Sequence, residues 1–198
     1  MKLYLLTGCP FAHRASIALR EKNLAFDPVF FEAKNRPAEL DALGPHAKSP
    51  TIIDDGVGVW DSQIVLEYLD DRYPSPALLG DDGQSRAEAR MLAARADRGL
   101  GAKQGILVME LLLQPKEQRD QAKVDAAKRD ALAMLGEWDE RLATRPFLLG
   151  EQLGFADVTL YTIIAALERN AGVTIPAELP RLTRWYERIA ARPSAPVL

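Results

Sequence analysis

The sequence predicts a small α/β domain over residues 1–75, a linker over 76–84 and an all-helical domain over 85–198. Three observations carry this. Short apolar runs suited to strands occur only as far as Trp60. From Ser85 onward apolar residues recur at helical spacing and no strand signal appears. Between them, Pro74 to Gln84 is dense in Pro, Gly and Asp, the composition of a connecting segment. A length of 198 residues fits two small domains.

Each element has its own signal. Leu3 to Leu6 is a buried-strand run, and Pro10 suits the first turn of a helix that runs to about Asn23. Val29-Phe30-Phe31 reads as a second strand. Pro37 to Leu43 reads as a short helix closed by Gly44-Pro45. Thr51-Ile52-Ile53 and Val57-Gly58-Val59-Trp60 flank Asp54-Asp55-Gly56, a hairpin signal. Ser62 is placed as the N-cap of a helix over Gln63 to Asp71, ended before Pro74. The order is β-α-β-α-β-β-α. In the second domain the helices are Ser85 to Leu113, Arg119 to Ala143, Asp157 to Arg169, and a last one marked by Leu182, Trp185, Tyr186 and Ile189 and ended by Pro193. Trp138 and Trp185 are expected in the helical core.

Composition excludes several functions. With 25 basic and 28 acidic residues and no basic run, the chain lacks the charge that drives nucleic-acid binding. Its single cysteine, Cys9, forms no intramolecular disulfide, and with only His13 and His46 beside it no metal site is expected. The first residues carry one basic side chain and a short apolar run, unlike a secretory signal. Glu110 interrupts the longest apolar stretch, so no membrane partner is expected. The expected setting is a reducing cytoplasm.

Cys9 follows a strand and opens a helix, where free N–H groups and the helix dipole favour an anion. Such a position lowers a thiol pKa from about 8.5 into roughly 3.5–7.5. A lone cysteine is otherwise a small, buried, inert side chain. The strand–Cys9-Pro10–helix context favours the reactive reading. A dithiol oxidoreductase would carry a second cysteine at position 12. Here that residue is Ala12, so a redox cycle at Cys9 needs an external thiol, for which glutathione is the natural candidate. Ser49-Pro50, before a strand, is either an ordinary trans proline or a cis turn offering the Ser49 backbone to an extended ligand. Asp61-Ser62 is either a plain helix cap or an ammonium acceptor beside an anion site, a match for an α-amino acid group.

Taken together, the motifs resemble the cytosolic glutathione transferase superfamily. Among its members they are most like the omega class and its dehydroascorbate-reductase-like relatives. The likeness is carried by Cys9-Pro10-Phe11-Ala12-His13-Arg14, Lys34-Asn35-Arg36-Pro37, Gly44-Pro45, Ser49-Pro50, Asp61-Ser62, Glu67-Tyr68-Leu69-Asp70 and Tyr73-Pro74. The resemblance implies a thioredoxin-like N-terminal domain, a C-terminal helical bundle supplying the second-substrate pocket, and a homodimer. It also implies glutathione as co-substrate. Cys9 would form a mixed disulfide with it, and Phe11 would line the cleft. Lys34 would face its glycine carboxylate, Ser49 before a cis Pro50 would pair with its cysteinyl backbone, and Asp61 and Ser62 would hold its γ-glutamyl group. A cysteine at this place suits thiol transfer to a small-molecule or protein-disulfide substrate. The alternatives are conjugation or cleavage of an electrophile and a non-catalytic adaptor on the same fold.

The sequence departs from the omega pattern at Asp61, usually Glu, at Ser49, usually aliphatic, and at Gly44 and Ala47 in the loop, which usually reads Asn-Pro-x-Gly. It also departs at Gly154, where a hydroxyl residue usually caps Asp157's helix. His13 is expected on the surface and His46 in a loop. Gly99, Gly101 and Gly105 lie within a helical stretch, so they read as room for close packing or for a substrate at an interdomain cleft, not as a phosphate loop.

Overall fold

The computed structural model describes residues 1–197 and divides into two compact units. The first is Met1–Leu79 with the carboxy-terminal segment from Arg192, and the second is Gly80–Ala191. The division falls inside the segment assigned to the linker. The segment from Arg192, assigned by sequence to the helical domain, packs with the first unit instead, and the end of that range, Leu198, lies outside the described residues.

The first unit is a four-stranded sheet in the order β2-β1-β3-β4. Strand β1 (Lys2–Leu5) pairs in parallel with β2 (Asp27–Phe30) and antiparallel with β3 (Thr51–Asp54). Strand β3 pairs antiparallel with β4 (Val57–Trp60). Strand β2 starts two residues earlier than the apolar run suggests and contains Pro28, which an edge strand tolerates because its missing N–H breaks no inner ladder. Asp55 (φ 48°) and Gly56 (φ 85°) form the two-residue turn that right-twisted hairpins favour.

Helix α1 (Pro10–Glu21) crosses from β1 to β2, the short α2 (Ala38–Ala42) precedes β3, and α3 (Ser62–Arg72) follows β4. Helices α1 and α3 pack on each other and on the sheet, burying Ala15, Ile17, Leu19, Val65, Leu66 and Leu69. Two buried cations fix their register. Arg14 Nη1 donates to Ser62 Oγ at 3.1 Å, and Lys22 Nζ donates to Asp70 Oδ1 at 2.8 Å. Both pairs are 48 positions apart in sequence, so the helices run parallel and level. Lys22 also donates to the carbonyls of Tyr73 and Pro76, and Asp70 accepts from the N–H groups of Leu78 and Leu79, so this pair closes the unit's lower end. Asp54, buried, accepts from the hydroxyls of Tyr68 and Tyr73 and ties the hairpin to α3. Burial and that hydrogen bond raise the Tyr68 pKa, and the bond to Asp54 chiefly raises that of Tyr73.

The carboxy-terminal segment is strapped along α1. Arg192 grips Glu21 through two nitrogens at 2.7 and 2.6 Å, and Arg20 donates to the carbonyls of Ser194 and Pro196. Burial pushes the Glu21 carboxyl up, but its hydrogen bonds from Arg192 and Ser194 outweigh this and hold it below its ordinary range.

In the second unit, α4 (Gly83–Ala96) and α5 (Ala102–Val108) are separated by a π-helical turn at Asp97–Gly101, and a second such turn follows at Met109–Leu113. Residues 83–113 are thus helical throughout, as the pattern over 85–113 predicts, with two turns of π-helix within them. A side chain at Gly101 would make only ordinary contact with Ile163, and one at Gly105 would meet nothing, so neither glycine marks an enforced close approach. Helices α6 (Gln121–Arg141) and α8 (Pro180–Ala190) pack together, and α7 (Phe155–Ala171) is buried on nearly every side, which makes it the centre of this unit. Trp138 and Trp185 are core residues as expected. At the start of α7, Asp157 accepts from the N–H groups of Leu148 and Gly154 and from Trp185 Nε1 at 2.7 Å. Burial raises its pKa to about 6 against the pull of those donors.

Two stability outcomes follow from these buried charges. Lys22→Met removes a buried ammonium from Asp70 and from the carbonyls of Tyr73 and Pro76, and should lower the unfolding free energy by roughly 3–5 kcal/mol in urea titrations; an unchanged midpoint would show that the pair is dispensable. Asp157, with its folded pKa above the unfolded 3.8, stabilises most below that value, and the contribution is lost as pH rises through about 6. Relative to Asp157→Asn, the wild type should therefore lose up to about 3 kcal/mol between roughly pH 4 and pH 7, and a pH-independent difference would contradict this.

Candidate functional site

The sheet topology gathers the sequence-predicted residues at one end. Cys9 follows β1 and Lys34 follows the parallel β2. Ser49-Pro50 precede β3, whose Thr51 pairs with Tyr4 on one side and Trp60 on the other, so Asp61-Ser62 leave β4 at the same end. Residues remote in sequence thus meet because three strand ends and two helix starts coincide.

Cys9 is the N-cap residue of α1, in extended conformation (φ −68°, ψ 118°), with Pro10 at the first helical position. Gly8, at φ 71°, turns the chain from strand to helix. The Cys9 N–H donates to the Leu6 carbonyl at 3.1 Å, and its own carbonyl accepts from His13 N at 2.9 Å. The thiol makes no cap hydrogen bond and is half-buried. Leu6 also connects Cys9 to the second motif: its N–H donates to Ser49 Oγ at 3.0 Å. The Ser49-Pro50 peptide is cis, and Pro50 is buried. Phe11, in the first turn of α1, is 40% exposed, with the Arg14 guanidinium 5.3 Å from its ring centre.

The third motif differs from expectation by one residue. Asp61, not Ser62, is the N-cap of α3, and its Oδ1 accepts from Gln63 N at 2.8 Å and Ile64 N at 3.4 Å. Its φ of 71° is the cost of that placement, since a non-glycine residue there is strained by about 1–3 kcal/mol. Asp55 and Asn23, the other non-glycine residues of positive φ among those described, lie in a hairpin turn and just past a helix end, where such angles are ordinary. Ser62 becomes the first helical residue, nearly buried, and its hydroxyl accepts from Arg14.

Lys34 stands apart, its side chain 85% exposed and its ammonium 3.2 Å from Glu32. His13 is corrected from surface to interior: it is 3% exposed, and its Nε2–H donates to the Ala195 carbonyl at 2.6 Å. That bond ties α1 to the carboxy-terminal strap. Sequence reasoning missed a cleft of about 500 Å³ that begins at Thr7, two residues before Cys9, and continues along Phe30, Phe31, Asn35 and Arg36. The half-exposed Phe30 is its apolar wall, and Arg36 is pinned by the carbonyls of Leu40 and Gly44. An apolar pair read as a strand gives no hint that it lines a cleft.

Comparison with known proteins agrees with this arrangement. The glutathione S-transferase N-terminal domain family matches residues 8–72, and the glutathione S-transferase C-terminal domain family matches 105–193. Glutathione S-transferase U28 of Arabidopsis thaliana is 30% identical over 190 residues, 93% of this chain and 82% of that protein. Glutathione S-transferase GstB of Escherichia coli is 30% identical over 184 residues, 90% of this chain and 87% of that protein. A solved glutathione S-transferase from Rhodospirillum rubrum superposes with a TM-score of 0.87 at 29% identity, covering 98% of this chain and 89% of the other. With both halves of the chain matched and its sheet and helices arranged as in these proteins, the chain belongs to the glutathione S-transferase family.

Proposed function

We propose that the protein is a glutathione-dependent thiol transferase of omega-like type, working through a mixed disulfide at Cys9. The observation that carries this reading is a half-buried cysteine as the N-cap of α1, where the thiol makes no cap hydrogen bond and the first helical amides favour an anion. Glutathione is its co-substrate; a relative from Methylobacterium radiotolerans, 26% identical, is described in complex with glutathione sulfonate. Phe11, Lys34, Ser49, Pro50, Asp61 and Ser62 are proposed to hold it.

The chemistry balances with one cysteine. The Cys9 thiolate attacks the glutathionyl sulfur of a mixed disulfide, a new Cys9–glutathione disulfide forms, and the substrate leaves as thiolate and takes a proton from water. A second glutathione thiolate then attacks the same glutathionyl sulfur, releasing glutathione disulfide and restoring the Cys9 thiolate. Because residue 12 is alanine and no other cysteine exists, the resolving thiol is external. The pinned helix start keeps the sulfur in place through both displacements. The conjugation reading is favoured by the names of the relatives, which are glutathione S-transferases without further specification. A homodimer is the expected assembly.

Two measurements test the proposal. Cys9→Ala should retain binding to immobilised glutathione and lose glutathione-dependent reduction of a small mixed disulfide by about a thousandfold or more; full activity in this variant would overturn the mechanism. In the wild type, disulfide reduction should exceed conjugation of glutathione to an aryl halide by at least about tenfold in kcat/KM, and the reverse ranking would select the conjugation reading.

A further inference from the structure

We propose that His13 is a positioning residue for Cys9: its side chain, anchored to the carboxy-terminal turn, keeps the first turn of α1 closed behind a cysteine that does not cap it. This rests on the reading of Cys9 as the nucleophile and names what holds that sulfur in place.

A helix start is ordinarily secured by a serine, threonine, aspartate or asparagine whose side chain takes up one of the first amides. Cys9 occupies that place in α1 and makes no such bond. That suits a nucleophile, because a sulfur engaged by its own helix is less free to attack a disulfide. The first turn then rests on the fixed φ of Pro10 and on the His13 N–H, which donates to the Cys9 carbonyl at 2.9 Å. Uncapped ends are the parts of a helix that open most easily. When this end opens, the amides that favour a negative charge at the sulfur turn away from it.

The residue that closes this turn with its main chain is also the one tied down by its side chain. His13 is buried, and its Nε2–H donates to the Ala195 carbonyl at 2.6 Å. A carbonyl only accepts, so Nε2 carries a proton whether the ring is neutral or charged, and the bond holds in both states. Ala195 is itself fixed. Residues Arg192 to Ala195 form a turn closed by the Ala195 N–H on the Arg192 carbonyl at 3.0 Å, with Pro193 at the position where a turn favours proline. The turn grips α1 again at Arg20 and Glu21, seven and eight residues beyond His13 and so on the same face two helical turns away. Ser194 and Ala195 are buried in this contact. Held along α1 in this way, the turn is a fixed point, and a bond to it restrains His13 as a cap would restrain the helix start. Arg14, the next residue, ties the same turn of α1 to Ser62. Loss of the His13 bond therefore loosens the helix start without setting it free.

The test compares the wild type with His13→Phe, which keeps a ring and loses the donor, and with His13→Gln, which restores a donor at similar reach. In the wild type the amides of His13 and Ala195 should be protected from hydrogen exchange and should exchange within about threefold of one another, as one opening unit. Alkylation of Cys9 by iodoacetamide at neutral pH should be slower in His13→Phe by about fivefold or more, and in His13→Gln within about twofold of the wild type. The kcat/KM for reduction of a small mixed disulfide should follow the same order, while retention on immobilised glutathione is equal in all three. A His13→Phe protein that melts at a lower temperature with its alkylation rate unchanged would overturn the proposal and leave His13 a structural residue. An unprotected His13 amide in the wild type would overturn it as well, whether or not the variants fold. A wild-type thiol alkylated no faster than free cysteine would instead remove the reading of Cys9 as the nucleophile.

Discussion

The level, parallel pairing of α1 and α3 is the constraint on which the amino-terminal unit depends. Apolar burial between the helices and the sheet is not directional and would permit a slip of one turn. The two buried cations do not permit it, because a slip would strip each of its partner inside the protein, and an unpaired buried charge costs several kcal/mol. The two are not equivalent. Lys22 sits at the carboxy-terminal ends of both helices, where their last carbonyls favour a cation, and it collects two loop carbonyls besides Asp70. Arg14 sits toward the other ends, where Ser62 Oγ is among its acceptors.

Much of this architecture was legible in the sequence because it is written locally. The Asp55-Gly56 turn, Pro10 at a helix start and Trp185 at helical spacing each declare themselves within a few residues. What escaped depends on residues far apart in sequence. His13 looks like a surface histidine until Ala195 arrives to accept from it, 182 positions later. The assignment of the last residues to the helical domain failed for the same reason: Arg192 follows α8 directly, but its partner Glu21 ends α1. The π-helical turns left no mark because their residues have ordinary helical character, and the glycines in the first of them invite a packing explanation that the spacing to Ile163 does not require.

The helical unit shows the opposite case, in which a short motif had a long-range purpose. Gly154 to Asp157 reads as half of a capping box, lacking the hydroxyl at its first position. The structure shows why the missing hydroxyl is tolerable. Asp157 reaches back to the Gly154 N–H, but it also takes Leu148 N–H and the indole of Trp185, so one carboxylate joins the turn before α7 to α8. Its worth lies in satisfying three buried donors at once, more than in the cap itself.

Asp61 joins these themes at the candidate site. Where the omega pattern usually has glutamate, this chain has aspartate, one methylene shorter. Aspartate, unlike glutamate, is the right length to cap the helix it precedes. In this chain it does so, and accepts a strained φ in exchange. The replacement therefore changes the character of the helix end more than its charge. Two amides that could have met a ligand are satisfied internally, and the carboxylate is held rigidly instead of reaching outward.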